Sequence, residues 1–380
     1  MKNAWLAVLS ILITASLVLP ALAAETIKVG AILAVTGPAS FLGAPEAKTL
    51  EMLAADINAK GGINGKKLEL IIKDSQASPE KAISFAKQLI EEESVFAIIG
   101  PSTSGETMAI KNFAEENKTI MLSCAAAEVI VNPLAKYVFK VAPRDSYAAE
   151  KIYHQMKKMG ISKIGVLSSN TGFGKAGKEQ LEKFAPEHGI TIALSEVYDK
   201  AATDLTAEVT KLKGAGVQAI VNWSIEPAQA IVLKNARQLG LTVPIFQSHG
   251  FANIQYARAA GAAAEGVIFP ASRIIVAELL SDKNPQKSVL VEYKKKYESK
   301  FKEDVSTFGG HGYDALMILT RAVQAAGDDR EKVRSAIENM KGFVGTAGVF
   351  NLSPTDHNGL DIDAFAMLTV KDGKFALLEK

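Results

Sequence analysis

Short apolar runs recur along the chain, separated by longer stretches whose apolar positions repeat at helical spacing. This pattern predicts strands over 26–35, 67–73, 96–99 and 119–122, with helices over 41–59, 79–92 and from about Gly105 between them. Turn residues close the strands: Thr36-Gly37-Pro38 after the first, Gly100-Pro101 after the third and the small residues 123–127 after the fourth. Strands alternating with helices of this length imply parallel pairing through right-handed crossovers. The pattern then restarts. Helices are expected over 146–160, 174–188, 205–214 and 227–239, and strands over 163–168, 190–197, 219–222, 244–247 and 267–270. After Ala271 come longer helices over 286–301, 312–326 and 329–340, and then late strands over 343–351 and 362–370. The expected fold is α/β, with two doubly wound parallel-sheet lobes, a three-crossing hinge and a ligand cleft between the lobes.

At 380 residues the chain exceeds one comfortable core, which agrees with two lobes. The division expected is a leader over 1–23, a first lobe over 24–143 plus 272–350 and a second over 144–271 plus 351–380. Crossings then fall near 141–145, near Ala271 and near Asn351. In the leader, Lys2 supplies a positive start, residues 4–19 an apolar segment and Ala21-Leu22-Ala23 a cleavage signal. No later apolar run reaches the roughly 20 residues that a bilayer needs. The expectation is a soluble, exported protein. Its lone cysteine, Cys124, cannot form an internal disulfide, and no cysteine adjoins the cleavage signal to carry a lipid anchor. The net charge of +2 is spread among interspersed basic and acidic residues, which argues against nucleic acid. The run Lys294-Lys295-Lys296 reads as a solvated helix face.

Catalytic signals do not assemble. Gly172, Gly177 and Lys178 fit G-x-x-x-x-G-K between a strand and a helix, but Glu179 replaces the hydroxyl residue that would hold Mg²⁺. The five histidines are scattered without metal-binding spacing, and G-x-S-x-G is missing. Neither a metal nor a cofactor is expected. Attention falls on strand-to-helix loops, where open α/β sheets bind ligands. These carry Leu42, Ser102, Ser104, Ala125 and Ala127 in the first lobe, and Phe173, residues 224–226 and His249 in the second. Ser102 and Ser104 stand where a helix opens, so either one caps that helix or offers its hydroxyl to an anion beside the helix amides.

Six segments together resemble the periplasmic solute-binding proteins of ABC importers in the leucine/isoleucine/valine-binding class. They are 27–43 (IKVGAILAVTGPASFLG), 98–109 (IIGPSTSGETMA), 121–126 (MLSCAA), 138–146 (VFKVAPRDS), 171–174 (TGFG) and 308–315 (FGGHGYDA). The resemblance implies a monomer that takes a small-molecule ligand by hinge closure and hands it to an ABC permease complex in the inner membrane. It further implies that Ser104 and the following helix hold a ligand carboxylate, completed by backbone at Ala125 and the residue at Ala127. Phe173 would pack over the ligand, and Leu42 and Phe308 would line the side-chain pocket. Two departures bear on the ligand. Ala127 stands where amino-acid binders usually have Thr or Ser, and His249 where many have the Glu that neutralises the ligand ammonium. Either Glu226 or Asp145 replaces that charge, or the ligand is an aromatic or aliphatic carboxylate with no ammonium. In the second case Arg144 and Arg273 are candidates for added positive charge, against a role in hinge salt bridges.

Overall fold

The computed structural model describes residues 26–378, so the expected leader lies outside the described residues. The first sheet contains β1 (Thr26–Leu33), β2 (Lys67–Asp74), β3 (Ala97–Ile99), β4 (Ile120–Ser123) and β5 (Val138–Lys140), in the order β2-β1-β3-β4-β5 with every pair parallel. Its crossovers hold α1 (Ser40–Ala59), α2 (Pro79–Lys87) and α3 (Ser104–Glu116). Alternation along β1 sorts its residues between two cores: Val29, Ala31 and Leu33 pack with Leu50 and Leu53 of α1, whereas Ile32 packs with Ala82, Ala86 and Ile110 of α2 and α3. Because both faces are covered, the strand reads as continuously apolar.

The second sheet is built from β6 (Lys163–Ser169), β7 (Thr191–Tyr198), β8 (Ala219–Trp223), β9 (Ile245–Gln247) and β10 (Ile268–Ala271). The helices α4 (Asp145–Lys158), α5 (Gly172–Phe184), α6 (Thr206–Gly214), α7 (Ala228–Gln238) and α8 (Ile254–Ala260) accompany it. From Ser272 the chain goes back to the first sheet as α9 (Lys287–Phe301), α10 (Thr307–Ala326) and α11 (Arg330–Glu338). Leu316, Leu319, Val333 and Ile337 of these helices complete the core on the α1 side of the first sheet.

Several boundaries differ from the sequence-based expectations. Residues 343–351 form a small antiparallel hairpin, β11 (Phe343–Val344) and β12 (Val349–Phe350), in place of one strand. The last strands, β13 (Ala366–Lys371) and β14 (Lys374–Leu377), join the second sheet antiparallel beside β10. β13 starts late because the Asp361 carboxylate accepts from the Asp363 amide at 2.9 Å and caps a 3-10 turn over Ile362–Ala364. Leu352, Leu360 and Ala364 pack in the first core and Phe365 in the second, so the third crossing falls at Phe365, not near Asn351. α10 begins at Thr307, not Gly312, since the glycines that look like helix breakers are sites of close packing. A β-carbon on Gly309 would lie 2.6 Å from the Tyr293 hydroxyl, and one on Gly310 would lie 2.6 Å from Thr346 Oγ1. The longer helix carries Phe308 and His311 on one face.

The crossings are tied to one another. Arg144, after β5, pairs with Glu128 at 2.8 Å and with Asp356 at 2.5 Å. Asn358 Nδ2 donates to the carbonyls of Lys140 at 3.1 Å and Ala142 at 3.0 Å. Arg273, just beyond β10, donates to the Asp363 and Ala364 carbonyls. Both arginines therefore serve the hinge.

Candidate ligand-binding cleft

The first-lobe wall starts at Gly100, whose φ of +94° and close approach to the Ile32 carbonyl leave no room for a β-carbon. The chain then turns into α3. The cap of that helix is Thr103, whose hydroxyl accepts from the Glu106 amide at 3.4 Å and donates to the Glu106 carboxylate at 2.5 Å. Neither flanking serine caps it. Ser102 Oγ accepts from the Ala34 amide at 3.0 Å and donates to buried Glu46, fixing the end of β1 to α1. Ser104 Oγ accepts from the Ala127 amide at 3.3 Å, which leaves its O–H proton available. The Ala125 amide is taken by Ser123 Oγ at 3.1 Å. The two loops after β3 and β4 are thus stitched into one wall.

In the second lobe, Thr171 caps α5 by accepting from the Gly174 amide at 3.2 Å. The glycines that suggested a phosphate loop are packing glycines. A β-carbon on Gly172 would stand 2.8 Å from the Gly105 Cα, and one on Gly177 would overlap the Trp223 indole. Lys178 pairs with Glu182 on its own helix at 3.6 Å. Phe173, next to the cap, is buried with its ring centroid 5.8 Å from Trp223 and 5.2 Å from His249. His249 is enclosed by aromatic rings, with Trp223 at 5.6 Å and Phe365 at 5.3 Å.

The two walls meet around an inner cavity of about 20 Å³, the room of roughly one water molecule. It is lined from the first lobe by Leu42, Ser102, Thr103, Ser104, Cys124, Ala125, Ala126, Phe308 and His311, and from the second by Phe173, Ile225, His249 and Gly250. Thr103, Phe173 and Ile225 also line an outer chamber of about 190 Å³, whose charged residues are Glu226 and Lys200. Of the expected residues, Leu42, Ser102, Ser104, Ala125, Phe173, His249 and Phe308 therefore share the inner cavity. Ala127 is fully buried behind it, and Glu226 faces only the outer chamber, where its carboxylate accepts from Ser224 Oγ at 2.7 Å. Asp145 lines neither space; its Oδ1 accepts from the Glu128 and Ser146 amides.

His311 and Trp223 are additions that the sequence reading missed. His311 stands in the FGGHGYDA segment, three residues after Phe308, which is helical spacing for a shared face once the helix is known to start at Thr307. Burial, with a smaller contribution from nearby Lys140, pushes the pKa of both His249 and His311 down to about 3, so both rings are neutral. Lys140 is itself buried beside Asp145. Burial drives the lysine down and the aspartate up, and each partly offsets the shift of the other. The inner cavity therefore has polar atoms but no carboxylate. Among the described residues, no group of three or more His, Cys, Asp or Glu is placed to hold a metal, and no helix is long and apolar enough to cross a membrane.

A family model described as periplasmic binding protein matches residues 26–374. The chain belongs to the periplasmic binding protein family. Members with curated names include the leucine-, isoleucine-, valine-, threonine- and alanine-binding protein of Pseudomonas aeruginosa, 26% identical over 346 residues, spanning 90% of this chain and 87% of that protein. Solved members of the same fold include an extracellular ligand-binding receptor from Rhodopseudomonas palustris HaA2, with TM-score 0.88 and 28% identity over 93% of this chain and 100% of that one. The branched-chain amino acid transporter substrate binding protein LivJ from Streptococcus pneumoniae, solved in complex with isoleucine, gives TM-score 0.82 and 25% identity over 92% of this chain and 98% of that one. The periplasmic binding protein architecture of two parallel-sheet lobes is thus shared along nearly the whole described chain.

Proposed function

We propose that this protein is an extracytoplasmic solute-binding protein that encloses a small carboxylate between two lobes and delivers it to an ABC importer without chemically changing it. The observation that carries this reading is the cleft, the inner cavity together with the outer chamber of about 190 Å³ that gives a ligand room. Its wall combines the start of α3 with His311 and Phe308 from one lobe, and Phe173, Ile225 and His249 from the other. No one lobe makes the site, so a ligand that touches both favours the closed arrangement. The lobe division that supports hinge closure has the first two crossings near residues 141–145 and Ala271, and the third at Phe365.

Within the cleft, the Ser104 hydroxyl and the first-turn amides of α3 offer donors to a carboxylate. Two ligand classes fit that anchor. Branched-chain or other aliphatic amino acids are supported by the names of the relatives. A carboxylic acid lacking an ammonium group is supported by the inner wall, where two neutral imidazoles stand and no carboxylate is present. The second class fits these residues better, since a buried ammonium without a counter-charge costs several kcal/mol. Calorimetric titration of the purified protein with leucine, valine, 4-methylpentanoate and benzoate tests the proposal. Binding of an acid, with no turnover product after prolonged incubation, supports it. Turnover of a bound compound refutes the transport role, and tight leucine binding that collapses in Glu226→Gln restores the amino-acid class.

A further inference from the structure

Both ring nitrogens of His249 and Nδ1 of His311 are buried without a hydrogen-bond partner among the described residues. Orphaned polar atoms at this depth are uncommon in native interiors, and both histidines line one small cavity. A neutral imidazole carries one N–H and one bare nitrogen, so His249 offers one donor and one acceptor whichever tautomer it adopts. His311 leaves its Nδ1 unpartnered, so that atom presents either an N–H or a bare lone pair, and the tautomer can follow the ligand.

We infer that the polar end of this cavity is built for a hydroxyl group, so that the solute is a hydroxy acid: a carboxylate held at Ser104 and the start of α3, and a hydroxyl held between His249 and His311. This rests on the reading of the cleft as a carboxylate site. A hydroxyl donates one hydrogen bond and accepts another, which matches a bare imidazole nitrogen from one lobe and an N–H from the other. The alternatives match less well. A second carboxylate accepts only and leaves the bare nitrogen of His249 unmet, and an ammonium donates only and leaves the His249 N–H unmet. A methyl group would leave all three nitrogens unpaired, and sites built to bond a hydroxyl reject analogues that lack one. Because the two histidines belong to different lobes, such a hydroxyl also bridges the closed form.

The test is calorimetric titration of the intact protein with matched pairs: 4-methylpentanoate against its 2-hydroxy and 3-hydroxy derivatives, and benzoate against 4-hydroxybenzoate. At least one hydroxy acid is expected to bind tenfold or more tighter than its parent acid. In His311→Phe that preference, read as the ratio of the two dissociation constants, is expected to shrink to less than threefold. The side-chain nitrogen-15 signals of both histidines in the wild-type protein are expected to move with the hydroxy acid and not with the parent, a readout that needs no variant. Equal binding of parent and hydroxy acids throughout overturns the hydroxyl inference and leaves the carboxylate site standing. Failure of every acid to bind overturns both, whereas leucine binding tighter than all of them overturns the hydroxyl inference alone.

Discussion

Gly172 at the start of α5 stands against Gly105 at the start of α3, so close that a β-carbon on Gly172 would lie 2.8 Å from the Gly105 Cα and 2.9 Å from its amide nitrogen. One residue belongs to each lobe, and the N-termini of two helices are thus brought together at the mouth of the cleft. The contact is asymmetric: a β-carbon on Gly105 would meet nothing nearer than the Gly172 amide at 3.9 Å. Neither glycine needs a left-handed backbone, so an alanine at either position suits its own helix.

Gly172→Ala is therefore expected to obstruct closure alone. Its ligand dissociation constant should rise about tenfold, or ~1.4 kcal/mol, while the melting temperature of the ligand-free protein stays put. Gly105→Ala should bind like the wild type. Small-angle scattering with saturating ligand gives an independent reading, because Gly172→Ala should remain more open than wild type. Equal affinities for all three proteins would mean that the helix termini do not need to touch.

The two serines of the first-lobe loop separate by role. Ser102→Ala strips the acceptor from the Ala34 amide and the partner from Glu46, both buried, and should cost about 1–3 kcal/mol of stability in urea titrations. Ser104→Ala removes the only side-chain hydroxyl of the wall with a proton to spare for a carboxylate. It should weaken acid binding by about 1–2 kcal/mol, with a smaller loss of stability from the Ala127 amide. The reverse ranking would reassign the anchor to Ser102.

Much of this layout was legible in the sequence, and the failures have physical causes. Apolar runs bounded by turn residues located the sheet strands, since two-sided burial demands uninterrupted apolar sequence there. The start of α10 was hidden because Gly309, Gly310 and Gly312 weaken helix propensity, and the gain that outweighs this, backbone packed against Tyr293, Thr346 and Glu46, is long-range. That same boundary concealed His311. The cap of α3 was left open in the sequence and proves to be Thr103, since Ser102, Thr103 and Ser104 are equivalent on paper and differ only in what lies beneath them. Glu226 looked able to replace a missing acid by its place in the chain, whereas its side chain is turned to the outer chamber and held there by Ser224.

Acid should destabilise the protein through its cleft histidines. Each has its folded pKa depressed to about 3 from an unfolded value near 6.5, so between those pH values the unfolded chain binds more protons. Stability from this source is present above about pH 6.5 and is lost as pH falls, by about 2 kcal/mol per histidine at pH 5. Asp314 acts in the opposite sense. Burial pushes it up to about 7, so it favours the folded state at low pH and loses that contribution as pH rises. The histidine contribution is therefore read as a difference. The stability gap between wild type and His249→Asn should narrow by about 2 kcal/mol on going from pH 8 to pH 5. A gap that does not change with pH would mean that His249 is charged or solvated when folded.

Changing His249 should also change the class of solute. Its ring is packed among Phe173, Trp223 and Phe365 and, being neutral, contributes no charge to the cavity. An acid bearing only a carboxylate loses nothing there, whereas the ammonium of leucine enters without a counter-ion. His249→Glu supplies that counter-ion from the second lobe, opposite Ser104. The substitution should lower affinity for 4-methylpentanoate at least tenfold, because an unpaired carboxylate is then buried beside the ligand, and should raise affinity for leucine by a similar factor. Its shape differs from imidazole, so Trp223 fluorescence and the melting temperature of the ligand-free variant must first establish that the second lobe is intact. Leucine binding that is tight in the wild type and unaffected by His249→Glu would place the ammonium elsewhere. The carboxylate of Glu226, at the edge of the outer chamber, would then be its partner.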